Sequence, residues 1–218
     1  LTDELFAGLA ELGATRFVND LSRFVFDPER FLDDAAEPMA ARGQGVVYWQ
    51  GTQAQVIRDV SAELRARRIE ESYEPYHAAL GGLVRGMLDG TGECFVIDCH
   101  SFPTVPLPSE LDQAPDRPDI CIGTDPLHTP ATLADALEAA FASEGLVVRR
   151  DAPFAGTFVP SGFYGRDGRV RSVMIEVRRG LYMNEASGHR LPGFAGVGAA
   201  ITRAVAAGMG AARPGGGG

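Results

Sequence analysis

Apolar and polar positions along this chain follow two rhythms, and the shorter one ends in charge. The run Cys94-Phe95-Val96-Ile97 leads directly into Asp98, Cys99, His100 and Ser101, and Val173-Met174-Ile175 leads into Glu176, Val177, Arg178 and Arg179. Short apolar runs of this kind predict buried strands, here over 93–98 and 170–178. Further short strands are expected near 14–18, 23–26, 46–49, 120–122 and 145–149. The longer rhythm is a stripe of Tyr76/His77, Leu80, Leu83/Val84 and Met87/Leu88, which predicts an amphipathic helix over 74–88. Other helices are expected over 1–12, closed by Gly13, and over 53–68. One more opens at Thr129-Pro130, turns Leu133, Leu137, Ala140 and Phe141 inward, and ends at Gly145. A small-residue helix is expected over 193–208. Strands alternating with helices make this an α/β chain.

Residues 27–45 are acidic and residues 102–117 Pro-rich, so both read as irregular loops; the second directly follows the His100 strand, where loops often carry a site. The chain's 218 residues, 45% of them apolar, suffice for one core, so a single domain is expected over 1–208. A disordered Gly-rich tail is expected over 209–218. Leu1 falls within a helical stripe with Leu5, Leu9 and Leu12, so residues upstream of it are expected to be missing. The net charge of −9, with no Lys and no basic run, argues against a nucleic-acid partner. No stretch approaches the roughly 18 apolar residues of a membrane span. Three Cys without a CxxC fit free thiols in a reducing compartment, hence a cytoplasmic protein, taken as a monomer or small homo-oligomer.

His100, just past an apolar strand, is placed to hold a metal or move a proton; the plainer alternative is a buried His satisfied by its neighbours. Strand alternation puts Asp98 on the same face and Cys99 on the other, so Asp98 is expected to support His100. Glu176 follows three apolar residues, a costly position unless the carboxylate is paired with Arg178 or Arg179, or works as a general base. His77 is either the edge of its helix stripe or a site residue. His128 and His189 are expected in solvated loops. Arg23, Arg117 and Arg179, if gathered round one pocket, would suit an anionic substrate. Nucleophile-elbow, zinc-helix and P-loop motifs are absent from the sequence. Gly196-Val197-Gly198 reads as helix packing.

In order along the chain stand Asp3-Glu4-Leu5-Phe6, Leu21-Ser22-Arg23-Phe24-Val25-Phe26-Asp27, Tyr73-Glu74-Pro75-Tyr76-His77 and Ile97-Asp98-Cys99-His100-Ser101-Phe102-Pro103. Arg117-Pro118-Asp119-Ile120-Cys121-Ile122-Gly123, Pro153-Phe154-Ala155-Gly156 and Ile175-Glu176-Val177-Arg178-Arg179-Gly180-Leu181-Tyr182-Met183 complete the set. This ordered set resembles the N-formylglutamate amidohydrolase family. The resemblance implies a three-layer α/β/α fold with a central mixed sheet, zinc-carboxypeptidase-like, and one catalytic Zn2+. It implies His100 as a metal ligand with Asp3 as a stand-in acidic ligand, and Glu176 as the catalytic carboxylate assisted by Asp98. It further implies Arg23, Arg117, Arg179, His77 and Ser101 around the substrate. The expected reaction is hydrolysis of N-formyl-L-glutamate, or of another small anionic N-acyl amino acid, in histidine catabolism. Two features depart from the family pattern: no early Pro-His-Ser/Ala motif is present, and Thr157 stands where a second Gly is usual after Gly156. The first departure keeps open a non-catalytic relative acting as a binding domain.

Overall fold

The structure, a computed structural model, describes residues 1–212. Its helices are α1 (Thr2–Leu5), α2 (Ala62–Arg68), α3 (Glu74–Thr91), α4 (Ala131–Ser143) and α5 (Phe194–Ala212). Its strands are β1 (Cys94–Phe102), β2 (Ile120–Gly123), β3 (Val148–Arg150) and β4 (Val170–Arg178), joined in one sheet in the order β1-β4-β2-β3. β4 is parallel to β1 and antiparallel to β2, and β2 is parallel to β3. Cys94 lies opposite Val170, and the register stays in step through His100 opposite Glu176. Both parallel strands therefore deliver their C-terminal ends to one place, where open α/β sheets bind ligands.

The two-residue period of the strands divides the core into layers. Phe95, Ile97 and Cys99 of β1 and Val173, Ile175 and Val177 of β4 join Ile120 and Ile122 against Leu133, Leu137 and Phe141 of α4 and Ile201, Ala204 and Val205 of α5. The intervening residues Cys94, Val96 and Val170 face the other way, onto Val84 and Leu88 of α3. Helices thus cover both faces of a mixed sheet, the expected three-layer arrangement. Gly208 lets α5 approach α4 closely, because a Cβ there would meet Leu133 and Leu137 at 3.0 Å.

The helix expected from 53 begins at Ala62, where the Ser61 hydroxyl accepts the Leu64 N–H at 3.1 Å as an N-cap. It continues into α3 through a wide π-type turn, Ile69–Tyr73, and α3 ends at Gly92 in the left-handed conformation, φ 81°. The first expected helix splits into α1 and a 3-10 segment, Ala7–Leu12, with Gly13 at φ 82° closing it as anticipated. Residues 14–18, 23–26 and 46–49 form no ladder among the described residues. β-propensity needs a neighbouring strand to act on, and none is offered there. Instead Phe26, Val46 and Val47 pack as irregular chain against Tyr73. The Thr129 hydroxyl does not cap α4. It accepts the Asp125 N–H at 2.9 Å and donates to the Ser172 carbonyl at 2.7 Å, fastening the loop to β4.

α5 runs to Ala212, into the segment expected as tail, and residues 213–218 lie outside the described residues. Contrary to expectation, α5 is long and apolar enough, by length and composition alone, to cross a membrane. Its apolar character comes from Ala and Gly as much as from Ile201 and Val205, and Arg203 in its middle pairs with Glu144 at 2.7 Å.

Candidate active site

Strand alternation brings Asp98, His100 and Glu176 onto the sheet face that looks toward α3. His100 Nε2 lies 2.7 Å from Asp98 Oδ1 and 3.1 Å from Glu29 Oε1. One ligand atom from each of Glu29, Asp98 and His100 falls within 4.8 Å of the other two. The second Asp98 oxygen accepts the Phe158 N–H at 2.9 Å, which fixes the plane of the carboxylate. Burial works against an imidazolium here, but Asp98 and Glu29 outweigh it and hold His100 well above its ordinary pKa. Burial likewise opposes ionised Glu29, and His100 with Arg23 overcomes it, holding this carboxyl far below the usual range.

Glu176 sits beside this cluster with the opposite electrostatics. It is buried, and its Oε2 has no hydrogen-bond partner among the described residues. Burial pushes its pKa up to about 7, with His100 pulling it back and Asp98 adding to the rise. The purely structural ion pair weighed for Glu176 does not form. Arg178 pairs with Asp119, and Arg179 donates to the Ser101 hydroxyl at 3.3 Å and to the Ser101 carbonyl at 3.2 Å. A buried carboxyl near neutrality, free of a permanent partner, is suited to taking and returning a proton.

Glu29 reaches His100 from the loop after Phe26, and a buried hub holds that loop. Asp27, fully buried, accepts from Arg23 Nε at 2.9 Å, from the Tyr48 hydroxyl at 2.6 Å and from the Glu29 N–H at 3.1 Å, with Arg30 Nε at 3.2 Å. Arg23 also lies 3.2 Å from Glu29, so it touches the cluster. Asp27, Glu29, Arg30 and Tyr48 were not legible as site residues. The one available signal is the alternation Asp27-Pro28-Glu29-Arg30 immediately after the apolar Phe24-Val25-Phe26.

The remaining candidates fall in several places. Ser101 bridges Arg179 and the Thr2 hydroxyl, the latter at 3.1 Å, next to His100 in sequence. His77 touches backbone, its Nε2 lying 2.8 Å from the Pro28 carbonyl. Arg117 is buried between Phe102 and Phe154, paired with Glu110 and donating to the carbonyls of Pro103 at 3.3 Å and Asp112 at 3.1 Å, so it ties down the loop after β1. Asp3 is exposed, 3.3 Å from the Leu1 amine and 3.8 Å from Arg16, and is not in the cluster with His100. His128 is fully buried rather than solvated. Its Nδ1 lies 2.7 Å from the Val170 carbonyl, and its Nε2 accepts the Gly165 N–H at 2.9 Å.

The three-layer α/β/α chain thus gathers a buried carboxyl and a carboxylate–imidazole cluster at the C-terminal ends of two parallel strands, where α/β enzymes place their sites. The particular kind follows from its relatives: the N-formylglutamate amidohydrolase family profile matches residues 1–183, and the chain belongs to that family. The crystal structure of N-formylglutamate amidohydrolase from Ralstonia eutropha superposes with a TM-score of 0.81 at 27% identity, covering 96% of this chain and 81% of that one. A gene product of Agrobacterium tumefaciens shares the fold at 22% identity and a TM-score of 0.61, covering 87% of this chain and 68% of that one. No functionally curated protein matches significantly. The chain is an amidohydrolase by family.

Proposed function

We propose that this amidohydrolase is zinc-dependent and cleaves N-formyl-L-glutamate, or a close N-acyl amino acid, into formate and the free amino acid. The observation that carries the reading is Glu176, buried and with no partner at Oε2 among the described residues, beside Glu29, Asp98 and His100. Two carboxylates and an imidazole form a donor set of the hard-to-borderline kind that zinc accepts, and three protein ligands are the number catalytic sites supply. These ligands replace the expected pairing of His100 with Asp3. Zinc held there supplies positive charge that polarises the amide carbonyl.

The other steps belong to the chain. Glu176, near half-ionised at neutral pH, takes a proton from the attacking water and delivers it to the leaving nitrogen as the C–N bond breaks. The backbone N–H of Phe158 orients Asp98, and the ladder to β4 sets His100 beside it. Arg23, 3.2 Å from Glu29, and Arg179, held by Ser101, are assigned to the substrate carboxylates, and Ser101 sets the direction of Arg179. Arg117 is assigned to the loop rather than to the substrate.

The test is zinc content together with formate release. The protein should carry about one zinc per chain and act faster on N-formyl-L-glutamate than on N-formyl amino acids lacking a second carboxylate. Zinc-free protein that resists loading, or equal rates across that panel, would refute the metal or the substrate assignment respectively.

A further inference from the structure

We propose that Tyr73 and His77 are positioning residues, a two-point clamp from the α2–α3 helix that fixes the Glu29 carboxylate for the cation. The inference rests on the cation site of the preceding section. Asp98 and His100 stand on β1, whose ladder to β4 fixes their backbone, whereas Glu29 stands on irregular chain and needs another source of order. The Tyr73 hydroxyl donates to the Arg30 carbonyl at 3.0 Å, and His77 Nε2 lies 2.8 Å from the Pro28 carbonyl. Those two carbonyls bracket Glu29, and its own N–H is held by Asp27 at 3.1 Å.

A carbonyl only accepts, so the proton in the His77 contact sits on Nε2. Burial lowers the pKa of this ring, which therefore stays neutral, and its buried Nδ1 has no partner among the described residues. The two rings meet with centroids 4.1 Å apart and planes tilted by 37°, from neighbouring turns of one helix. Tyr73 ends the π-type turn Ile69–Tyr73, a distortion common at functional sites, and His77 stands one turn beyond it. A ligand ordered before the cation arrives loses less freedom on binding it, which raises affinity without adding a contact.

Tyr73→Phe and His77→Phe each remove one donor and keep a ring, while His77→Gln keeps a donor. Hydrogen exchange at residues 27–31 of the metal-free protein is followed beside a cobalt(II) titration against a competing chelator. Faster exchange in that segment is expected, with cobalt affinity about three- to tenfold weaker in each Phe variant. Stoichiometry should not change, and His77→Gln should recover most of the loss. Leu137→Val, in the far core, should lower Tm without moving cobalt affinity. If the two Phe variants behave like Leu137→Val, Tyr73 and His77 support only the fold and the proposal is overturned. If the wild-type protein takes up no cobalt, or Glu29→Gln binds it as well, the cation site itself fails. That outcome needs no clamp variant to see, and it takes the proposal with it.

Discussion

Two histidines, one fully buried and one partly exposed, lie near opposite ends of the same strand pair and teach opposite lessons. His128, near the start of β4, has each ring nitrogen matched to one backbone group, the Val170 carbonyl and the Gly165 N–H. Its hydrogen-bonding capacity is exhausted, and nothing about it changes without unfolding its surroundings. His100, at the end of β1, presents a single nitrogen to two carboxylates, with a third carboxyl lacking a partner close by. That arrangement is full of charge that could be better satisfied by something else. Both rings are largely withdrawn from solvent; the difference lies in whether the partners are backbone groups or ionisable side chains.

The largest expected effect tests the second half of this contrast. Glu176→Gln should lower amide hydrolysis by about 10²–10⁴-fold while the protein stays folded, measured as kcat with circular dichroism alongside. A variant retaining near wild-type kcat would remove Glu176 from the chemistry. The converse experiment is His128→Ala, which leaves two buried backbone groups unmatched and should cost about 2–5 kcal/mol in denaturant unfolding. Its activity per folded molecule should be unchanged; a specific loss of kcat would break the contrast.

A pH series sharpens the picture next. Glu176 holds its proton in the folded protein up to about pH 7, against 4.5 for the free side chain. Between those values the unfolded chain has released a proton that the folded one retains, so stability falls as pH rises through the window and levels off above it. Metal-free wild type should therefore lose up to about 3 kcal/mol relative to Glu176→Gln between pH 4.5 and 7.5. A pH-independent difference would mean that the carboxyl is solvated or paired after all. The smallest effect is expected at Ser101→Ala, which frees Arg179 without removing it. KM should rise about three- to tenfold with kcat nearly constant, and a fall in kcat alone would place Ser101 in the reaction rather than behind Arg179.

What the sequence disclosed follows the reach of the interactions involved. β4 was legible over 170–178 because the apolar run Val173-Met174-Ile175 and Val177 mark a strand buried on both faces. Asp98, His100 and Glu176 were legible because a strand's period assigns faces without knowledge of the rest of the fold. β1 extends five residues beyond its apolar run, since the ladder to β4 continues under polar side chains. Glu29 was hidden because its approach to His100 depends on Tyr48, Tyr73 and His77, all distant in sequence. His128 was misjudged for a related reason: its partners are backbone groups, which leave no trace in residue type. The strands expected over 14–18 and 23–26 had the right composition and no neighbour to pair with.

The in-step register of β1 and β4 has a consequence for how such a chain could change over generations. Losing or gaining one residue inside 94–97 would turn Asp98 and His100 toward α4 and α5, and the same event inside 170–175 would turn Glu176 away from them. A single-codon deletion there inverts the site in one step, whereas a substitution only trims it. The loops at 103–119 and 151–169 carry no such parity. Length variation among relatives should therefore accumulate in those two loops and stop abruptly at the edges of the two strands.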